Sequence, residues 1–376
     1  MLRDSACILR RLLAIAQLLC ATLAMGQAPT SSVSEGILAP SLDTSLLDVD
    51  AKSVPICLAS IWQADMSQPY GGGMLGNNES YQDLGPGAAA VCDECPRRGA
   101  LLFVDYDSWK GMPDAGWQNN GISSGLNFGT RLGRVSDLTG IGFQIGGSAG
   151  AFNWNGTDFR IARQDQAQPQ GFITYGFFHK PNADSSWSAA VVQDWMINAN
   201  YGVFAENPTL SQGRAQLGYA TSALNEFGLW GTWRMWNDQR TVAGFGNVSW
   251  RSVNQINAYW HYKWSPGGAD TVVWVGVPEH DRPAPQRGSL GDYIIGISGN
   301  IPLNDRVAVY TLVTYMHASA AAGPAGFEDE AWNFTIGVAL YPGRNARSST
   351  VAGQCWMPQL PVANNGYFLV DTNRTF

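Results

Sequence analysis

Chemistry would first be sought at Gly146-Gly147-Ser148-Ala149-Gly150, which has the Gly-x-Ser-x-Gly spacing of a hydrolase nucleophile elbow. That elbow needs a helix directly after the serine, because a sharp strand-to-helix turn is what presents the hydroxyl. Ala151-Phe152-Asn153-Trp154-Asn155-Gly156 follows instead, a strand end and a turn, so the stretch reads as glycine-rich strand. Gly140, Gly142 and Gly146 have the wrong spacing for a dinucleotide loop, and no helix follows them either. His179, His261, His280 and His317 are scattered, which gives no set of metal ligands. No catalytic residue, metal or cofactor is expected.

The cysteines have to be read with the amino terminus. Arg3, Arg10 and Arg11 precede the apolar run Leu12–Leu23 and the small-x-small site Ala24-Met25-Gly26, the pattern of an export signal over residues 1–26 cleaved near Gly26. The run is too short for a membrane anchor. Cys57, Cys92, Cys95 and Cys355 remain, enough in an exported protein for up to two disulfides with three possible pairings. Cys92-Asp93-Glu94-Cys95 could also be redox-active or half a zinc site. It lacks a second Cys/His pair and a thioredoxin-like context, so a structural bridge is the plainer reading.

Strands must position whatever else is here. Charged residues are only 14% of the chain, against roughly 25–35% of a soluble surface. Yet no run of about 18 apolar residues follows the signal, which excludes an ordinary spanning helix. A closed sheet is the remaining way to occupy a bilayer. The formal charge of -7, without a basic run, argues against nucleic acid as a partner. Residues 27–98 are rich in Gly, Pro, Ser and Asn and read as an irregular extension, either periplasmic or plugging the lumen.

From Ala100 onward period-2 alternation marks about twelve strands. Ile256, Ala258, Trp260, Tyr262 and Trp264 share one face; Gln255, Asn257, Tyr259, His261 and Lys263 share the other. Connections alternate in length, long at Asn153–Gln170 and Asn237–Ser252, short at Ser222–Glu226 and Ser265–Ala269. Outer-membrane barrels have short periplasmic turns and long external loops. The expected fold is therefore all-β, a closed antiparallel up-and-down transmembrane barrel over residues 99–342, with a C-terminal periplasmic tail, 343–376.

Parity assigns the faces. Asp105, Asp107, Arg131, Asp194, Arg214, Arg234, His261, Lys263, Asp292 and Arg306 fall on the wet parity and are the candidate lumen residues. Arg131, Lys263 and Arg306 lie toward the periplasmic end, where a basic zone could set solute preference; equally, the charges could simply pair and close the interior. Trp187 and Trp264 fall outward near the periplasmic ends, and Tyr201, Trp233 and Trp332 outward near the external ends, as an interfacial aromatic belt requires.

The chain ends Leu369-Val370-Asp371-Thr372-Asn373-Arg374-Thr375-Phe376. Its terminal Phe376 resembles the C-terminal aromatic of Gram-negative outer-membrane barrels, which their assembly machinery reads. With the signal and strand array, this ending resembles a family of uncharacterised planctomycete barrel proteins. The resemblance implies an outer-membrane location and, as partners, membrane lipid, the barrel-assembly machinery and small solutes or ions. Thr372, Asn373 and Arg374 break the alternation of a final membrane strand, so the barrel is closed with Trp332–Tyr341 and the tail is left outside. The expected function is a porin-like channel. The alternatives are a non-conducting structural or surface-binding barrel and a lipid-acting barrel enzyme, the last needing a lipid-facing Ser and His pair that this spacing does not supply. First and last strands are neighbours in a closed barrel, so Cys355 is expected to pair with Cys57, Cys92 or Cys95 beside the seam. Non-reducing peptide mapping should find Cys355 joined to one of those three; four free thiols would exclude the bridge.

Overall fold

The computed structural model describes residues 98–111, 118–154, 167–181, 185–264, 268–279, 290–318, 330–343, 346–347 and 356–373. The chain divides into two compact units, Met1–Asn78 and Glu79–Phe376, and all described residues belong to the second. The signal, the extension, His280, the four cysteines and Phe376 lie outside the described residues.

Alternation of apolar and small polar residues, with Gly and Asn at the ends, yields strands β1 (Arg98–Lys110) and β2 (Asn119–Arg131), the short helix α1 (Arg134–Thr139), and β3 (Ile141–Trp154). There follow β4 (Ala167–His179), β5 (Trp187–Asn198), β6 (Thr209–Ala220), β7 (Asn225–Trp236), β8 (Asp238–Val242) and β9 (Gly246–Ser252). The remainder is β10 (Gln255–Trp264), β11 (Ala269–Pro278), β12 (Gly291–Pro302), β13 (Val307–Ala318), β14 (Ala331–Leu340) and β15 (Val370–Thr372). Twelve strands close a barrel in the order β1-β14-β13-β12-β11-β10-β7-β6-β5-β4-β3-β2. The seam runs antiparallel from Leu102 opposite Leu340 to Lys110 opposite Trp332.

One cross-barrel row shows why the sheet faces as it does. Leu217, Leu229, Ala258, Val275 and Ile295 are successive register partners on β6, β7, β10, β11 and β12. The four larger ones are about half exposed, at 52%, 53%, 56% and 45% in that order. The opposite parity carries Asp194, Gln212, Gln144 and Thr174, each fully buried. An apolar girdle outside and a polar interior is the reverse of a water-soluble β protein.

Three features depart from the expected layout. Residues Asn237–Ser252 form the hairpin β8–β9, which joins β15 in a second sheet of order β15-β9-β8. The turn after β2 contains α1, closed by Gly140 in the left-handed region at φ 68°. The tail is not left outside the barrel. Its residues 356–372 enter at the short-turn end, near Gly99 and Gly129, and finish at the long-loop end as the third strand of the hairpin sheet. The expectation of an external tail failed because a segment without periodicity gives no sign of what it packs against.

The wall is shaped for this passenger. A Cβ at Gly146 would come within 2.6 Å of Val362 Cγ2, and one at Gly129 would collide with the Trp356 carbonyl. Gly129 on β2 thus leaves room for the segment's backbone, and Gly142 and Gly146 on β3 leave room for its Trp356 and Val362 side chains. At the long-loop end Trp250, Phe204, Leu210, Phe368 and Val370 join one buried apolar cluster with Trp109 and Phe152.

Val275→Arg places a cation in the middle of the outer girdle and is expected to lower unfolding free energy in phospholipid bilayers by about 2–4 kcal/mol. Val275→Leu should leave it within error, and denaturant titration of both variants in liposomes checks the pair.

Candidate functional site: the lumen and its threaded segment

A peptide that lies irregularly inside a barrel cannot satisfy its backbone from its own neighbours, so the wall has to do it. Gln144 on β3 supplies both halves of that service: its Oε1 accepts from the Gln359 and Leu360 N–H groups at 3.0 and 3.1 Å, and its Nε2 donates to the Leu360 carbonyl at 2.9 Å. Asn127 Nδ2 donates to the same carbonyl at 2.9 Å. The Ala363 N–H donates to Thr174 Oγ1 at 3.0 Å, and Gln212 Nε2 donates to the Tyr367 carbonyl at 3.0 Å.

Charge enters at two points. Arg214 and Asp194, both fully buried, form an ion pair at 3.1 Å; the guanidinium also donates to the Pro361 carbonyl at 2.7 Å and lies 5.0 Å over the Tyr367 ring. Asp107 accepts from Asn365 Nδ2 at 3.1 Å and from Thr335 Oγ1 at 2.9 Å, while Asn365 donates again to Gln170 Oε1 at 2.9 Å. Tyr367 then fills the space against Trp230 and Trp274, ring centroids 5.9 and 6.2 Å away. Beyond it the Val253 N–H donates to the Leu369 carbonyl at 2.9 Å, and Arg251 holds Asp371 at 2.7 Å. Arg251 also lies 3.7 Å from Glu279, which bonds Arg234.

Beside the threaded segment, in the short-turn half, a cavity of about 340 Å³ remains, reaching Asp105, Glu226, His261, Lys263, Asp270, Asn300 and Tyr310. His261 Nε2 is 2.9 Å from Asp270 Oδ2 and its Nδ1 is 3.8 Å from Glu226. Glu226 accepts from Ser188 at 2.6 Å and from the Tyr259 hydroxyl at 2.7 Å. Asp105 accepts from Ser123 and Tyr310 hydroxyls, each at 2.6 Å.

The structure therefore divides the candidate lumen residues. Asp107, Asp194 and Arg214 hold the segment; Asp105, His261 and Lys263 line the cavity; Arg234 serves the long-loop end. Two are corrected. Asp292 is exposed, because the register shift between Gly291 and Ile294 releases the start of β12 from strict alternation. Arg306 belongs to the turn before β13, not to the wall, and its carbonyl accepts from the Tyr341 N–H. No basic zone forms from the three expected members, since Arg131 turns to Asp137 of α1 and only Lys263 reaches the cavity. Of the aromatic belt, Trp187, Trp233 and Trp264 are exposed and Trp332 is half-buried. Tyr201 is the correction: it follows β5 in a turn, is buried, and stacks on Trp109 at 5.8 Å.

Sequence reasoning missed Gln144, Thr174, Gln170, Asn365, Tyr367 and Glu226. Two signals pointed to them: amides on the wet parity where a water-filled pore would serve as well with charges, and a tail, Trp356–Val370, too apolar to be solvated.

Together these features define a closed twelve-strand antiparallel β-barrel whose lumen is occupied by its own C-terminal segment, with a cavity beside it. The chain belongs to the Family of unknown function (DUF6666), whose model matches residues 102–370 and so includes that segment. No curated protein matches it in sequence. Among solved structures it is similar to an outer-membrane channel from Pseudomonas putida F1, with TM-score 0.45 and 9% identity over 66% of this chain and 97% of that one. It is also similar to the NanC porin (TM-score 0.38, 12% identity, 64% and 98% covered). The beta domain of the Bordetella autotransporter BrkA gives TM-score 0.38 and 11% identity over 65% and 99%.

Arg214→Met leaves Asp194 buried without its cation. Removing one partner of a buried pair costs about 3–5 kcal/mol. The expected result is a matching loss of stability together with faster hydrogen exchange at residues 360–368; exchange unchanged there would show that the arginine does not hold the segment.

Proposed function

We propose that this chain is an outer-membrane barrel that its own C-terminal segment holds shut, a channel for small solutes only when that segment moves. One observation carries the reading: residues 356–372 run the length of the lumen and take their hydrogen bonds from its wall. The outward apolar girdle supports residence in a bilayer, and the alternation of long and short connections supports the orientation with short turns in the periplasm. Export by a cleaved signal, recognition by the assembly machinery and kinship with planctomycete barrel proteins belong to the same proposal. No covalent catalysis is part of it: Ser148 sits within β3, and strand continues from it to Trp154.

A second reading, a non-conducting surface scaffold, is favoured by the apolar cluster and hairpin sheet that cap the long-loop end. Planar-bilayer recording separates the two. The full chain is expected to be silent at low voltage. The double variant Asp371→Ala, Tyr367→Ala, which removes an ionic and an aromatic anchor, should show discrete openings while the folded barrel keeps its resistance to unheated detergent. Silence in both favours the scaffold. Steady wild-type conductance would refute the plug.

A further inference from the structure

We infer that the cavity beside the threaded segment is a binding site for a small, uncharged, polyhydroxylated ring, the chemistry of a neutral mono- or disaccharide. This deepens the proposed function by naming a solute class, and it rests on the lumen facing solute, not on conduction. A volume of about 340 Å³ sits at the low end of the roughly 300–1,000 Å³ typical of ligand pockets, so the occupant is small.

Register supplies the recognition elements. Lys263, Asp270 and Asn300 are consecutive cross-strand partners on β10, β11 and β12, and all three line the cavity. Adjacent strands lie about 4.8 Å apart, so the three form a row of neighbouring polar heads. Asp270 uses Oδ2 on His261 and leaves Oδ1 without a hydrogen-bond partner. Among the described residues neither Lys263 nor Asn300 makes a side-chain hydrogen bond or ion pair. An ammonium offers only donors, a carboxylate only acceptors, and an amide both. A hydroxyl group answers each of them, and a ring bearing several hydroxyls answers the row.

Charge argues against an ionic occupant. Arg214, His261 and Lys263 stand against Asp105, Glu226 and Asp270 around the same space, so a net charge attracted by one set is repelled by the other. One layer deeper lies an aromatic corner. Trp230 and Trp274 meet at 77°, and Tyr367 of the threaded segment stacks on Trp274. Tyr367 already fills that corner, so the aromatic rings form an apolar floor behind the polar row, and recognition rests on the row itself.

The test uses the full chain in a zwitterionic detergent that carries no sugar, titrated with maltose and followed by tryptophan fluorescence and calorimetry. Glucuronate and glucosamine are the charged comparators. Saturable maltose binding is expected, weaker by roughly tenfold in Asp270→Asn and in Lys263→Met, the loss expected for one hydrogen bond to a charged group. No saturation, tighter binding of either comparator, or unchanged affinity in both variants would overturn the site. Both variants must keep the wild-type melting profile, and Asn300→Ala provides a third probe of the same row should either fail. A protein that conducts steadily yet binds maltose in this way would lose its plug and keep its site.

Discussion

Backbone hydrogen bonding is the constraint on which the structure depends. An irregular peptide enclosed at membrane depth has no water to satisfy its N–H and C=O groups, and each one left bare costs several kcal/mol. Residues 356–372 escape that penalty because the wall presents side-chain amides and hydroxyls at the right places. Gln144 acts as a one-residue substitute for a neighbouring strand, giving two acceptor contacts and one donor to Gln359 and Leu360. Amides suit this better than charges, since they pair with peptide groups without requiring a counter-ion.

The same requirement explains where charge is tolerated. Asp194 is fully buried, yet it receives Arg214, Thr174 and Gln212. Arg214 in turn reaches the Pro361 carbonyl and the Tyr367 ring, so wall and threaded segment complete one network. Ion pairs of this kind seldom add much net stability, but removing one partner leaves a buried charge uncompensated. Small residues do the complementary work by making space, as at Gly129 and Gly146.

The barrel was legible in the sequence because its signals are local. Side-chain alternation has a period of two, and loop lengths can be counted; each of the twelve barrel strands overlaps a stretch that alternation marks. What failed needed contacts distant in the chain. Leu360 meets Gln144 across 216 residues, and Asn365 meets Asp107 across 258. Proline and asparagine in the tail look like solvent-exposed coil until a partner is known. Tyr201 and Asp292 failed for a smaller reason, since each sits where a strand has ended or slipped and parity no longer points anywhere. Lumen charge could be listed from the sequence, but its division between a peptide-holding half and a cavity could not.

That division makes the lumen mechanically unequal along its length. Toward the long loops the segment is held by a strand ladder to β9, by Arg251 on Asp371, and by an apolar cluster that includes Phe368 and Val370. Toward the short turns it is flanked by the cavity and held by the wall amides, by Met357 in a buried cluster with Ala308, Ala339 and Tyr341, and by Leu360 and Trp356 against Phe178, Ala190 and Val192. Apolar burial is worth about 25 cal/mol per Å², so the crowded end is the costlier one to open. Release at the short-turn end must undo the Met357 and Leu360 clusters and the amide contacts, whereas release at the far end must undo ladder, ion pair and the larger cluster at once. The polar row of Lys263, Asp270 and Asn300 lies in the short-turn half, in the same cavity that Met357, Leu360 and Tyr367 of the segment line.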